Sequence, residues 1–208
     1  MYEFVIGGNS GPTAIADDLL DGMFHLRWDV FHDRLNWVPS GDNGRECDEY
    51  DDCDATYVIG YDADTRTVLA TWRLRPTTAR YMLRNTFPEL LIGDAPSSPL
   101  IYEISRFGIA RNSGGVSRVG EFRSLTQTLF AHSIEFGVER GVHRALWVTT
   151  LGIERMTRKL GFSLRRMGRS LQIGSCMAVT QELELDNVAV ATAEKILGRA
   201  IGTVRAAA

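Results

Sequence analysis

The sequence predicts a mixed α/β protein built on a central sheet, and three observations carry that expectation. Runs rich in branched and aromatic residues, such as ATYVIGYD, TVLATWRLRP and LIYEISRFGIA, read as strands. Other stretches repeat apolar residues at spacings of three and four, the period of an amphipathic helix. The two kinds alternate along 208 residues with no repeat, low-complexity segment or linker, so a single domain over 1–208 is expected.

Residues 2–6, YEFVI, form a first strand ending at Gly7-Gly8. Thr13 can cap a helix running to about Leu35, whose main apolar stripe is Ile15, Leu19, Met23, Leu26 and Val30. A second row reads Leu20, Phe24, Arg27, Phe31, Leu35, so an arginine interrupts an apolar face. Residues 38–54 read as an irregular polar loop. ATYVIGYD and TVLATWRLRP then pair as a hairpin through DADTR, and YMLRNTFPELL is a short helix broken by Pro88. LIYEISRFGIA is the central strand, SRVGEFRSLTQTLFAHSIEFGVERG a long helix, ALWVTT a buried strand and GIERMTRKLG a helix. Strands near 163–167 and 171–180 and a last helix over about 187–204 complete the order.

Composition excludes several classes. Hydrophobic content of 44% and charged content of 24% are ordinary for a globular chain. No apolar run approaches the roughly 20 residues of a membrane span. MYEFVIGGNSGP does not read as a secretory signal, and three cysteines, Cys47, Cys53 and Cys176, form no even framework; a cytoplasmic location is expected. The absence of a helix-turn-helix or basic-aromatic pattern argues against nucleic acid. The net charge of -3 hides an asymmetry. Residues 1–64 hold 15 Asp/Glu against three Arg, and residues 139–170 hold eight Lys/Arg against two Glu. One cationic and one anionic partner would suit such a split, as would uneven surface decoration.

The densest acidic stretch is ECDEYDDCD, residues 46–54. Its C-x5-C spacing is not that of a zinc site, and it lacks the calcium-loop pattern, so no metal is expected. Glu49, Asp52 and Asp54 suit a solvated loop. Arg27, Arg73 and Arg106, however, fall on surfaces that read as buried, and a buried arginine requires a carboxylate partner. Asp48 and Asp51 are the candidate partners, making the loop half of an ion-paired pocket wall.

Arg27-xxx-Phe31, Trp37, Asp48-Glu-Tyr-Asp51, WRLRPTTARYML, FPELL and YEISRF, followed by ERM and KLGF, together resemble the acyl-homoserine-lactone synthases of bacterial quorum sensing. The resemblance runs in order from about residue 24 to 162. It implies an α-β-α sandwich similar to the N-acetyltransferase fold, with a mixed, mostly antiparallel sheet. It also implies two substrates, S-adenosylmethionine and an acyl group on acyl carrier protein, and no cofactor. The family's invariant residues fall on Arg27, Phe31, Trp37, Asp48, Asp51, Arg73, Glu103 and Arg106. The acidic segment would then face a sulfonium, and the basic segment an acidic carrier protein.

Amide formation needs a neutral amine, and an α-amino group titrates near 8, so a weak base nearby suffices. Glu103 is the candidate, directly or through water; the competing reading is a structural ion pair with Arg73 or Arg106. Donors near Ser105 to Phe107 would stabilise the oxyanion. Lactone closure asks mainly for positioning. Arg27, Phe31, Trp37, Arg73 and Phe107 are assigned to S-adenosylmethionine, and Glu103, Arg106, Asp48 and Asp51 to the reacting centre. Glu103 and Arg106 are three apart and would face opposite sides of a regular strand, so a bulge is expected between them. Trp147 and Thr149, with Met82, Leu125 and Met156, are assigned to the acyl pocket, although each equally suits a plain core. Arg144, Arg155, Arg158, Lys159 and Arg165 are candidates for carrier docking. The alternative is an acyl-CoA-dependent N-acyltransferase of the same superfold. Its coenzyme would sit on Arg111-Asn-Ser-Gly114-Gly115-Val116, a partial match to a pyrophosphate loop.

Overall fold

A computed structural model describes residues 1–35, 41–111, 119–173 and 176–202, leaving aside the side chains of Val119 and Glu121. Trp37 and residues 112–116 of the expected pyrophosphate loop lie outside the described residues. The contacts gather into two compact units. One comprises Met1–Leu74 with Arg106–Leu129, the other Arg75–Ser105 with Phe130–Ala208.

The first unit opens with β1 (Tyr2–Gly7), paired antiparallel with β4 (Thr56–Asp62), which pairs antiparallel with β5 (Val68–Pro76). The β4–β5 hairpin is the expected one, its loop held by Asp62, whose Oδ1 accepts from the N–H groups of Asp64 and Thr65. Register sets Phe4 opposite Gly60, and the Phe4 ring occupies the space a Gly60 side chain would need. The helix α1 (Asp17–Trp28) buries the members of both rows that it carries, Leu19, Leu20, Met23, Phe24, Leu26 and Arg27. It starts three residues later than expected: Thr13 belongs to a tight connection in which its carbonyl accepts from Gly8 N–H, and the first turn carries Asp17 and Asp18 instead. Those carboxylates suit the positive end of the helix dipole.

At Asp29–Arg34 the helix widens into a π turn, closed by Leu35 N–H donating to the Val30 carbonyl at 3.1 Å. The expected loop after it contains a small hairpin, β2 (Gly41–Asp42) with β3 (Arg45–Glu46). His25 Nδ1 lies 2.7 Å from the Gly44 carbonyl, which ties the hairpin to α1.

Chain-wise, β5 and β6 (Ile101–Ile109) each lie partly in both units. In the second unit β6 runs parallel to β7 (Arg144–Thr150) over Ile101–Ile104, and β7 pairs antiparallel with β10 (Cys176–Glu184). Both β8 (Leu164–Arg166) and β9 (Leu171–Ile173) pair antiparallel with β10. The single strand expected over 171–180 is thus a hairpin of two. Helix α2 (Met82–Asn85) and a 3-10 turn at Pro88–Leu90 cover one core, in which Tyr81, Leu83, Leu90, Ile101 and Leu146 are buried. Helix α3 (Val119–Glu139) passes from the first unit into the second. The helix α4 (Leu151–Arg158) is capped by Thr150, and α5 (Asn187–Leu197) by Asp186. The α5 helix is shorter than expected because Gly198, at φ 69°, takes the left-handed backbone that ends it. No helix among the described residues is long and apolar enough to cross a membrane.

A side chain at Gly7 would lie 2.1 Å from the Thr13 carbonyl oxygen, a backbone atom that cannot swing aside. Gly7→Ala is therefore expected to cost about 1–3 kcal/mol in urea unfolding. Gly120 in α3 has open space at that position, so Gly120→Ala should stabilise by up to about 1 kcal/mol. Equal midpoints for the two variants would contradict this account.

Candidate active site

Three arginines and three carboxylates close a ring in the first unit. Arg27 Nη1 and Nη2 donate to the two oxygens of Asp51, both at 2.8 Å, and its Nε donates to Glu46 Oε2 at 2.5 Å. Glu46 Oε1 receives Arg106 Nε at 2.9 Å, and Arg106 Nη2 reaches Asp48 Oδ2 at 2.6 Å. Asp48 also receives Arg73 Nη1 at 2.5 Å, and the same Nη1 donates to Asp51 Oδ1 at 2.8 Å, which closes the circuit. Charge alternates at every step.

Each member is positioned by a different piece of local structure. Arg27 comes from α1, Glu46 from β3, Arg73 from β5, buried in all but its last residue, and Arg106 from β6. Asp48 and Asp51 sit in a short turn in which Asp48 N–H donates to Asp51 Oδ2 and Tyr50 N–H to Asp48 Oδ1. Tyr57 on β4 adds its hydroxyl to Asp51 at 3.0 Å. The side chains of Arg27, Arg73, Glu46 and Asp51 are fully covered, whereas Asp48 is 6% and Arg106 11% exposed. The Arg106–Asp48 corner is therefore the one that solvent reaches. There the Arg106 guanidinium lies over the Phe31 ring at 5.1 Å, and Arg73 over Tyr50 at 5.5 Å.

The expected wall is present, with one addition. Glu46 is fully covered and bridges Arg27 and Arg106, although the sequence reading chose only Asp48 and Asp51 as partners. Glu49, Asp52 and Asp54 are exposed, as expected of a solvated loop. Arg106 has φ 56°, the left-handed backbone at which strand alternation breaks, so β6 is irregular where a bulge was expected. Next to it, Phe107 packs edge-on against Trp72 at 5.4 Å and Phe122 at 6.3 Å.

In electrostatic terms the ring is locked. Burial opposes charge on Asp51, yet the charge and hydrogen bonds of Arg27, with the charge of Arg73, hold its carboxyl well below the usual carboxylate range. Burial likewise opposes charge on Arg27, and Asp51 and Glu46 outweigh it. The Cys47 thiol is pushed up to about 11, by burial first and Asp51 next, so it stays protonated and offers no thiolate for covalent catalysis.

Glu103 belongs to the second unit, almost fully covered, with its two oxygens receiving the backbone N–H groups of Met82 at 2.9 Å and Leu83 at 2.6 Å. Tyr81 beside it is pushed up to about 12 by burial and then by the Glu103 charge. Met82, Trp147, Thr149 and Met156 also lie in the second unit, and Leu125 in the first. Trp147 is buried edge-on against Phe130, and its Nε1–H has no partner among the described residues. Much of the basic segment is already paired. Arg144 and Arg165 meet Glu182, while Arg158 and Arg166 meet Glu154. Arg155 and Lys159 are exposed beside them.

The mixed, mostly antiparallel sheet with its short parallel β6–β7 pair is the arrangement of the N-acetyltransferases. A model of the autoinducer synthase family matches residues 13–193. An acyl-homoserine-lactone synthase of Aliivibrio fischeri is 37% identical over 156 residues, covering 74% of this chain and 79% of its own length. The crystal structure of the AHL synthase LasI superposes with a TM-score of 0.83 at 33% identity, over 99% of both chains. TofI, crystallised in a ternary complex with an inhibitor and MTA, superposes with a TM-score of 0.79 at 28% identity, over 92% of this chain and 96% of its own. The chain belongs to the autoinducer synthase family and is an enzyme of that class, an acyl-homoserine-lactone synthase.

Removing one member of the ring leaves buried guanidiniums without a counter-charge. Asp51→Asn is expected to cost about 3–5 kcal/mol in urea unfolding. Because the folded Asp51 pKa is depressed, its contribution is fully present above the unfolded value of about 4 and fades as pH falls below it. The wild-type unfolding free energy should therefore drop on going from pH 5 to pH 3, by more than that of Asp51→Asn. Equal slopes for the two proteins would refute this assignment.

Proposed function

We propose that this enzyme transfers an acyl group from an acyl carrier protein thioester to the α-amine of S-adenosylmethionine, and then closes the lactone with release of methylthioadenosine. One observation carries the reading. Five of the charged residues that the family resemblance singles out, Arg27, Asp48, Asp51, Arg73 and Arg106, meet with Glu46 in one closed ring, whose solvent-reached corner lies on Phe31. The MTA bound to TofI is consistent with the nucleoside this route releases.

In the first step the amine nitrogen attacks the thioester carbonyl, the C–S bond of the thioester breaks, and the nitrogen gives up a proton. Glu103 takes that proton, directly or through a water. In the second step the substrate carboxylate attacks its own γ-carbon and the sulfonium C–S bond breaks. The negative carboxylate and positive sulfonium cancel, so no further acid or base is needed and positioning dominates.

The ring is neutral as a whole, with three guanidiniums against three carboxylates. Its role in this scheme is to present a fixed surface, with Arg106 and Phe31 toward the substrate and Trp37 assigned beside them. Asp48 and Asp51 act through the arginines they hold and are positioning residues. Phe107 packs beside Arg106 and shares in shaping the adenosylmethionine side, and Arg27 and Arg73 buttress it. Trp147, Thr149, Met82, Leu125 and Met156 are assigned to the acyl chain. Arg144, Arg155, Arg158 and Lys159 are assigned to the acidic carrier protein. No cofactor or metal is required, and the reaction belongs in the cytoplasm, where both substrates are made.

Mass spectrometry of lipids from a bacterium expressing the chain tests the scheme. Wild type should yield N-acyl-homoserine lactone, and Glu103→Gln at least about 100-fold less, the usual worth of a general base. Equal yields would remove Glu103 from the mechanism. No lactone from folded wild type, supplied with methionine and fatty-acid precursors, would overturn the scheme, and lactone formed only with acyl-CoA would reassign the donor.

A further inference from the structure

The closed ring accounts for Arg27, Arg73 and Arg106, but not for Arg34. This residue ends the π turn of the same helix, and its guanidinium is partly buried with Nη2 covered and without a hydrogen-bond partner among the described residues. Its Nε donates to the Asp29 carbonyl at 3.3 Å. A buried guanidinium nitrogen that donates to nothing is costly.

The end of β6 runs past this turn. A side chain at Gly108 would contact Val30 at 3.5 Å and Leu26 at 3.7 Å, so strand and helix touch backbone to side chain at that point. Two residues on, Ala110 packs on the cluster that holds Val30 and Leu35, and its N–H donates to the Leu69 carbonyl at 2.8 Å. The next residue is Arg111, exposed at the strand's end. Arg34 is held below its ordinary value by burial first and by the charge of Arg111 next, while Asp29 only partly offsets them. The other carboxylate on this turn, Asp33, is exposed and lies 2.6 Å from His32. Arg34 thus keeps a covered nitrogen without a partner among the described residues, and Arg111 follows the strand end that packs on its turn, in the unit whose other arginines named above are matched.

We propose that Arg34 and Arg111 form a binding site for a substrate oxyanion. The inference rests on the synthase reading above, whose substrates offer two such groups: the α-carboxylate of S-adenosylmethionine and the phosphate of the acyl donor's pantetheine arm. Both present oxygens that a guanidinium can grip with two hydrogen bonds. The Nη2 hydrogens of Arg34 then acquire the partner they lack. Arg111 adds a second charge from the rim, and the site lies one helical turn beyond Phe31.

Steady-state kinetics of wild type and Arg34→Gln, with each substrate varied separately, decide the matter. Loss of a charge-assisted contact should raise one KM about tenfold. A raised KM for S-adenosylmethionine identifies the carboxylate, and a raised KM for the acyl donor identifies the phosphate. Arg111→Gln should raise the same KM, by less. If Arg34→Gln moves neither KM, the site is refuted. Should wild type form no lactone at all, the synthase reading fails separately, and melting temperatures still test the site with inorganic phosphate as probe. Phosphate should then stabilise wild type beyond sodium chloride of equal ionic strength and leave Arg34→Gln unmoved; equal shifts in both would overturn the proposal.

Discussion

The first unit depends on one constraint: three guanidiniums cannot be buried side by side unless each is met by carboxylates on two sides. The ring satisfies it by alternation, and every member is shared by two neighbours. Its six residues come from α1, β3, the turn at Asp48–Asp51, β5 and β6. The ring is consequently where helix, hairpin and strands are brought into register. The hairpin β2–β3 exists to deliver Glu46, and the turn after it to deliver two aspartates whose orientation the N–H groups of Asp48 and Tyr50 help fix.

Such an arrangement exchanges freedom for precision. A surface built of mobile lysines and glutamates would reorganise around each substrate, whereas bidentate arginine pairs in a covered setting do so at high cost. Only the Arg106–Asp48 corner is exposed enough to meet a ligand directly. The remaining charges hold that corner still, which is the form electrostatic preorganisation takes in this fold.

How much of this the sequence disclosed follows from what a pattern can register. Arg27 was legible because it broke an apolar row at helical spacing, and Asp48 and Asp51 because buried arginines needed partners nearby. The hairpin at DADTR was legible from local chemistry. Glu46 was not, since nothing in its neighbourhood distinguishes it from the exposed Glu49; its burial is created by tertiary packing of a two-residue strand. Arg34 was missed for a related reason, because no apolar row runs through it and tertiary packing alone covers its Nη2. The helix start was misjudged because Thr13 has good capping chemistry but its carbonyl is taken by Gly8.

The π turn at Asp29–Arg34 has a consequence of its own. A π turn amounts to an α-helix carrying one surplus residue, kept because removing it would turn everything beyond by about a quarter of a revolution or more. Phe31 and Arg34 therefore face where they do through a length of chain rather than through the identity of any side chain. Shortening this helix by a residue would give a more regular helix and a disordered arrangement of its tip. In this stretch the spacing of residues sets the site as strictly as the residues themselves.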